Sequence, residues 1–311
     1  MFKDKKVVFM GTPLFATCIL KYLIDVCNVV LVVTKEDKEV GRKRKVCFSP
    51  VKEMAINNNI EVFQPTKIRD DYEKILNTGC DIIITCAYGQ IIPSELLEFP
   101  KYKCINVHAS LLPKLRGGAP IHRAIINGME ETGISIMYMS KGMDEGDIIS
   151  QDSIKIDIND NTGVLHDKLS VLGRDLLKRT LPEIFNFTNK RVKQNDDEAT
   201  YGYVIKREDE LIDFSKCAKD VYNQIRGLYP FPCGYMIFDN MEIKILCGYI
   251  GDVNKGKTGY ITSVLKDGIG IMCLDREIVI TRLKPSGKGE MSAMDYINGK
   301  GKDNLLGKVC K

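Results

Sequence analysis

Residues 7–34 read VVFMGTPLFATCILKYLIDVCNVVLVVT, and this stretch decides the fold class. Its first four residues form a short apolar run that is typical of a buried strand. The turn Gly11-Thr12-Pro13 follows, and the next apolar residues recur at helical spacing: Phe15, Ile19, Leu20 and Leu23. Residues 29–34 are a second apolar run. The stretch therefore predicts a strand, a helix and a second strand, which is the start of an α/β fold.

The same alternation continues outward from this unit to about residue 185. Further strands are predicted near 61–64, 81–86, 104–108 and 133–139, with helices between them. We expect a Rossmann-like, mainly parallel sheet over residues 1–188 and a polar linker over 189–206. After one helix, residues 207–311 are rich in predicted strands and turns, which indicates a small, OB-like β-barrel domain.

Composition excludes several classes of protein. The 311 residues include 45 Lys and Arg against 41 Asp and Glu, and 44% are hydrophobic, which is typical of a folded chain rather than a disordered one. The 11 cysteines contain no Cys-x-x-Cys pair, so we expect no metal. No signal peptide and no apolar run of about 18 residues is present. We expect a cytoplasmic monomer with reduced thiols and no membrane contact.

The first turn does not support dinucleotide binding. A strand, a turn and a helix invite that interpretation, but residues 11–16 read GTPLFA rather than G-x-G-x-x-G. Pro13 and Phe15 would crowd a pyrophosphate. The motif favours a tight structural turn over a site for NAD or FAD.

Asn106 and His108 are the strongest candidates for chemistry. Residues two apart on a strand point to the same face, so the predicted strand 104–108 presents both side chains together. They lie near its carboxyl end, where open α/β sheets bind ligands. An imidazole and a carboxamide can donate hydrogen bonds to a developing oxyanion. The alternative is a buried pair whose hydrogen bonds are made by backbone.

Two charged segments are further candidates. Asp144, in the acidic turn 143–148, would orient His108 if the fold brings the two together, but the turn is also consistent with solvated carboxylates. Residues 40–52 contain five basic residues and no acidic one, and residues 244–311 contain twelve basic and seven acidic ones. A solvated loop is the common fate of such a run, but two positive regions favour a polyanionic partner.

Several motifs together resemble the methionyl-tRNA formyltransferases, a family of folate-dependent formyltransferases. They are VVFMGTP at 7–13, GRKRK at 41–45, AYGQIIP at 87–93, CINVH at 104–108, SLLPKLRGGAPI at 110–121 and GMDEGD at 142–147. The resemblance extends over essentially the whole chain. It departs at Lys114-Leu115, where the family often carries Arg-Trp.

The resemblance implies transfer of a formyl group from 10-formyltetrahydrofolate to the amino group of methionyl initiator tRNA, without a metal. It assigns catalysis to Asn106, His108 and Asp144 and places the folate beside two segments: Ser110, Leu111, Leu112 and Pro113, and Tyr88 with Gly89. It implies tRNA contacts from the basic loop: Arg42, Lys43, Arg44 and Lys45.

Two rival functions stay open. One is formyl transfer to a small amine, such as an amino sugar or glycinamide ribonucleotide. It explains the three catalytic candidates equally well but not the basic regions. The other is a non-catalytic RNA-binding protein on the same scaffold, which would not require Asn106, His108 and Asp144 together.

Overall fold

A computed structural model describes residues 1–40, 44–253 and 255–311. The chain forms two compact units. The first contains residues 1–120, 132–154 and 166–203, and the second contains residues 121–131, 155–165 and 204–311. Over the described ranges, no helix is both long enough and apolar enough to span a membrane.

The strands and helices alternate in the first part of the chain, and strands dominate the last part. The strands are β1 Phe2–Gly11, β2 Cys27–Val33, β3 Lys38–Val40, β4 Lys45–Cys47, β5 Val62–Phe63, β6 Ile82–Cys86, β7 Cys104–His108, β8 Glu131–Tyr138, β9 Ile148–Lys155, β10 Gly234–Phe238, β11 Met241–Ile250, β12 Ile261–Val264, β13 Ile269–Met272, β14 Glu277–Pro285 and β15 Met291–Ser292. The helices are α1 Leu14–Val26, α2 Pro50–Asn57, α3 Glu73–Leu76, α4 Ser94–Glu98, α5 Pro120–Ile126, α6 Thr162–Phe185, α7 Arg207–Glu210, α8 Ala218–Leu228 and α9 Ala293–Lys300.

The first unit contains a seven-stranded sheet in the order β5-β2-β1-β6-β7-β8-β9. The pairs from β5 to β7 are parallel, and β7 pairs with β8 antiparallel. The apolar centre of β1 is fully buried, as expected for a strand covered on both faces. The strand order reverses between β1 and β6, which is where such sheets bind ligands at their carboxyl ends. The predicted Rossmann-like sheet is confirmed.

Local sequence explains where α2 begins. Its N-cap Ser49 accepts a hydrogen bond from the backbone N–H of Lys52 at 3.1 Å, and Pro50 occupies the first helical turn. Both features are favoured at helix N-termini because the first N–H groups lack intrahelical partners. The antiparallel hairpin β3–β4 precedes this helix.

The second unit contains an antiparallel sheet in the order β10-β11-β14-β13-β12, with β15 paired to β14. The turn between β10 and β11 is Asp239-Asn240, with φ values of 55° and 57°. Positive φ at both central residues suits the twist of a two-residue hairpin. The buried face of α8 packs into the core of this sheet through Val221, Ile225 and Leu228. The predicted strand-rich second fold is confirmed.

Residues 307–311 close this sheet into a barrel. On one side, the N–H of Ile261 donates to Lys308 O, and the N–H of Cys310 donates to Gly259 O at 2.7 Å. On the other side, Lys311 N–H donates to the carbonyl of Ile237 in β10 at 2.9 Å. The segment thus pairs with both edges of the open sheet.

The second unit also includes residues that are distant in sequence. Thr162 Oγ1 donates to Gly227 O at 2.6 Å, and Arg226 Nη1 donates to Asp160 O at 2.7 Å. These bonds attach residues 155–165 to α8. The predicted boundaries of 1–188, 189–206 and 207–311 are continuous in sequence, whereas the compact units are not; those boundaries stay a prediction.

Candidate active site

Asn106 lies on β7 with its carboxamide held in one orientation. The hydroxyl of Thr85, on the neighbouring strand β6, donates to Asn106 Oδ1 at 2.9 Å. Because the hydroxyl donates to the amide oxygen, the amide NH₂ faces the other way. It points to Asp144 Oδ1 at 3.4 Å. The side chain therefore presents donors at the carboxyl end of the sheet.

His108 ends the same strand and is buried. Its Nε2 lies 3.1 Å from the carbonyl oxygen of Leu115. A carbonyl oxygen only accepts, so this contact requires a proton on Nε2. Nδ1 lies 3.6 Å from Asp144 Oδ2, an approach longer than a hydrogen bond.

Asp144 lies between the other two candidates, so the fold brings the three residues together. Its side chain is 17% exposed, and its Oδ2 accepts a hydrogen bond from the N–H of Gly117 at 2.9 Å. The backbone at Asp144 has φ +53°, a left-handed conformation that is uncommon outside glycine. Sequence spacing could not predict this proximity, because Asp144 follows β8 and not β7.

Gly146 allows this turn to approach the sheet closely. A Cβ at Gly146 would lie 1.8 Å from the carbonyl oxygen of Tyr138, so only glycine fits. The requirement explains the Asp-x-Gly spacing of the acidic turn.

The loop 110–113 is held by polar side chains from the sheet. Ser135 Oγ donates to Ser110 O at 2.6 Å and accepts from the N–H of Leu112 at 3.0 Å. Gln151 Nε2 donates to Leu112 O at 2.9 Å. Ser110 and Leu112 are buried, whereas Leu111 and Pro113 are partly exposed.

Tyr88 and Gly89 follow β6 at the same end of the sheet. The Tyr88 hydroxyl is buried, and it has no hydrogen-bond partner in the described parts of the chain. Burial raises the pKa of Tyr88 to about 12. An unpaired buried hydroxyl costs about 1–3 kcal/mol. Gly89 has φ +75°, and a Cβ there would lie 3.0 Å from Lys35 Nζ.

The basic loop is described only in part. Arg42 and Lys43 lie outside the described residues. Arg44 lies just before β4, and its exposed side chain is 3.7 Å from Glu39 Oε2. Lys45 is the first residue of β4.

Sequence reasoning missed Thr85, Arg116 and Gln194. Thr85 had a usable signal, because it is a polar residue near the carboxyl end of an otherwise apolar strand. Arg116 and Gln194 are both buried, and Arg116 Nε donates to Gln194 Oε1 at 3.0 Å. Gln194 belongs to the segment interpreted as a linker, where nothing in the sequence distinguishes a buried polar residue from a solvated one.

No three His, Cys, Asp or Glu side chains come close enough to bind a metal ion within residues 1–40, 44–253 and 255–311. The absence of a metal from the reaction stays a prediction.

Two family models match the chain. The model "Formyl transferase" matches residues 5–181, and "Formyl transferase, C-terminal domain" matches residues 204–301. The methionyl-tRNA formyltransferase of Staphylococcus aureus strain MW2 is 48% identical over 307 residues, covering 97% of this chain and 98% of that protein. The Staphylococcus epidermidis methionyl-tRNA formyltransferase is 47% identical, with coverages of 98% and 99%.

Solved structures share the fold at lower identity. A sugar 3N-formyl transferase matches with a TM-score of 0.64 and 23% identity, covering 92% of this chain and 99% of that chain. An N-formyltransferase from Helicobacter canadensis matches with a TM-score of 0.65 and 24% identity, with coverages of 90% and 99%. With both domain models matched and nearly half of its residues shared with curated methionyl-tRNA formyltransferases along almost their full length, the chain belongs to the formyl transferase family.

Proposed function

We propose that this protein transfers the formyl group of 10-formyltetrahydrofolate to the α-amino group of methionyl initiator tRNA. The observation that carries the proposal is the grouping of Asn106, His108 and Asp144 at the carboxyl end of the sheet. It occurs in a chain 48% identical, over almost its full length, to a methionyl-tRNA formyltransferase.

The reaction is a direct transfer. The uncharged amine of methionine attacks the formyl carbon, a carbon–nitrogen bond forms, and the carbonyl oxygen becomes an oxyanion. The Asn106 NH₂ donates to that oxyanion, whose charge is greatest in the transition state. His108 donates to it from Nδ1, which requires a proton on both ring nitrogens because its Nε2–H already bonds to Leu115 O. The bond from the formyl carbon to N10 of the folate then breaks, the attacking amine loses a proton, and N10 gains one.

Asp144 positions His108 and assists the proton movement. A carboxylate near the attacking amine can take its proton directly or through water. Its contacts with Asn106 at 3.4 Å and with His108 at 3.6 Å support a role shared with both donors.

The folate lies beside residues 110–113 and the Tyr88-Gly89 turn. The unpaired Tyr88 hydroxyl supports this assignment, because a polar group of the pterin would supply its missing partner. The hydrogen bonds that fix the loop 110–113 also support the folate assignment. A loop that is already ordered can orient the formyl donor without losing conformational freedom at each turnover.

The tRNA is bound by the basic loop and by the barrel. Arg42 contacts the phosphates of the acceptor end, with Lys43, Arg44 and Lys45 as further cations. The surplus of basic residues over 244–311 supports backbone contacts from the barrel. Arg42→Ala should raise KM for tRNA and reduce the salt dependence of binding by about one ion; unchanged activity at subsaturating tRNA would contradict this assignment.

The first experiment measures formyl transfer from 10-formyltetrahydrofolate to charged initiator tRNA, with uncharged tRNA, free methionine and a nucleotide-linked amino sugar in parallel. Transfer to the charged tRNA alone supports the proposal. Transfer to the amino sugar alone would keep the chemistry and replace the acceptor. His108→Ala completes the test, because a pure RNA-binding protein should lose nothing on this change.

A further inference from the structure

Gln194 joins a segment outside both family-model matches to the catalytic turn. The matches end at residue 181 and resume at 204. Gln194 is 5% exposed, and its Nε2 donates to the carbonyl oxygens of Asp144 and Gly146, each at 2.8 Å. One amide nitrogen therefore uses both of its hydrogens on the turn that carries Asp144.

Arg116 fixes the orientation of this amide. Arg116 is 3% exposed, its Nε donates to Gln194 Oε1 at 3.0 Å, and its Nη2 donates to Asp196 Oδ1 at 2.8 Å. Since Arg116 only donates, it holds the amide oxygen and turns the NH₂ toward the two carbonyls. The buried amide thus has a partner at its oxygen and at both hydrogens.

The network holds Asp144 from two sides. Gln194 binds its backbone carbonyl, and the N–H of Gly117, next to Arg116, binds its carboxylate at 2.9 Å. The left-handed backbone at Asp144 is costly and persists where the surrounding structure determines it. A displacement of this carboxylate by about 1 Å is enough to lower a rate substantially.

We propose that Gln194 and Arg116 are positioning residues that fix the carboxylate of Asp144 for catalysis. The inference rests on the proposed function only in that Asp144 takes part in formyl transfer, whichever acceptor is used. Neither residue needs to touch a substrate for this role.

The test compares Gln194→Met with Asn195→Ala. Methionine keeps the size and removes all three hydrogen bonds, whereas Asn195 caps the turn 196–198 and hydrogen-bonds Glu198 and the N–H of Asp197. We expect kcat of Gln194→Met to fall about 10- to 100-fold, with KM for both substrates within about threefold of wild type. Asn195→Ala should keep wild-type kcat.

A second measurement separates positioning from general destabilisation. In single-turnover assays, Gln194→Met should lower the rate strongly in the wild-type background and less than about twofold in an Asp144→Ala background, because interacting residues are not additive. Equal losses in both backgrounds, or an unchanged kcat in Gln194→Met, would overturn the proposal. If the protein formylates a small amine instead of tRNA, the same assays with that amine still decide it.

A separate observation concerns Tyr201 and Tyr203, whose rings are stacked and exposed. Their centroids are 5.5 Å apart, the rings are within 8° of parallel, and the residues are 46% and 59% exposed. Two hydrogen bonds fix the backbone of Gly202 between them: its N–H donates to Arg116 O and its carbonyl accepts from the N–H of Ala119, both at 2.8 Å. The parallel stacking shows that both rings lie on the same side of the chain.

The stacked pair lies next to the loop that holds His108. Thr200 precedes it, and Thr200 Oγ1 accepts from the N–H of Leu115 at 2.9 Å. The carbonyl of the same Leu115 contacts His108 at 3.1 Å. An amine delivered to this site on the unpaired end of a tRNA brings its neighbouring bases close to these rings.

We propose that Tyr201 and Tyr203 form a stacking surface for an unpaired base at the acceptor end of the tRNA. Aromatic side chains commonly bind single-stranded bases in this way, and every base has a face that can stack. The proposal rests on the proposed function, because it requires a tRNA acceptor.

The test uses Tyr203→Ala and Tyr203→Phe, with Phe187→Ala as the control. Phe187 is also exposed and stacked, on Tyr102 at 5.0 Å. We expect Tyr203→Ala to raise KM for charged tRNA about 10-fold, Tyr203→Phe to restore it, and Phe187→Ala to leave it unchanged. The salt dependence of tRNA binding should keep its slope, since stacking releases no counterions.

An unchanged KM in Tyr203→Ala, or an equal rise in Phe187→Ala, would overturn the stacking surface. A wild-type protein that formylates no tRNA at all would instead contradict the proposed function.

Discussion

Arg116 and Arg226 are both buried arginines, but their hydrogen bonds end in different places. In the second unit, Arg226 donates to the carbonyls of Asp157 and Asp160 and to Asn223. These contacts attach an irregular segment to α8. In the first unit, the bonds of Arg116 continue through Gln194 to Asp144. Burial and hydrogen bonding alone therefore do not show whether an arginine only stabilises the fold or also positions a catalytic residue. The residues that its partners contact in turn make that distinction.

The largest effect should come from Asp144, the residue at which the hydrogen bonds of Arg116 and Gln194 end. Asp144→Asn should lower kcat about 1,000-fold, because it removes the carboxylate that assists proton transfer while keeping the size of the side chain. Formyl transfer and thermal unfolding should be measured together. Asp147→Asn is the matched control, since Asp147 lies in the same turn and pairs with Arg191 at the surface. A comparable loss of activity in the control would assign the effect to the turn as a whole.

A change at Arg226 should lower the stability of the protein rather than its activity. Arg226→Met removes a buried cation together with its hydrogen bonds. It should lower the free energy of unfolding by about 3 kcal/mol and leave kcat per folded molecule unchanged. Chemical denaturation measures the first quantity. Arg276→Met, an exposed arginine paired with Asp275, should cost less than about 0.5 kcal/mol. A fall in kcat without a fall in stability would break the contrast between the two arginines.

A change at Thr85 tests whether the orientation of the Asn106 carboxamide matters for kcat as well as its presence. Thr85→Val keeps the shape but removes the bond to Asn106 Oδ1, and we expect kcat to fall about 10-fold as the carboxamide loses its fixed orientation. Thr132→Val provides the control, because the buried Thr132 hydroxyl has no partner among the described residues. Full activity in Thr85→Val would show that Asn106 needs no help from β6.

The smallest effect is expected from two unpaired hydroxyls, one in each unit. Tyr88→Phe and Tyr296→Phe should each stabilise the protein by about 1 kcal/mol, since each removes a buried hydroxyl with no partner in the described chain. Only Tyr88→Phe should also weaken binding of the folate donor, measured by titration. A donor affinity unchanged by Tyr88→Phe would remove Tyr88 from the proposed folate site.

Ionisation does not interfere with this comparison at pH 7. Burial raises the pKa of both tyrosines to about 12. The stability linked to keeping them protonated is therefore fully present below their unfolded pKa of about 10, and it is lost as the pH rises toward 12.

The fold and half of the site follow from short-range patterns. The β1-α1-β2 start and the shared face of Asn106 and His108 are consequences of strand and helix periodicity. The approach of Asp144 is not, because it depends on how the turn after β8 meets the end of β7. The burial of Gln194 could not be predicted for a different reason. A polar segment without periodicity resembles a solvated linker whether or not its side chains are buried. The roles of these residues stay proposals.

Closure of the barrel by residues 307–311 sets an order of events during synthesis. Until the ribosome has released this segment, β10 and the start of β12 present unpaired edges that can pair with other chains. Domains generally fold as units while the chain emerges. All residues of the first unit precede residue 204, so every residue of the candidate active site has been synthesised before the barrel can close.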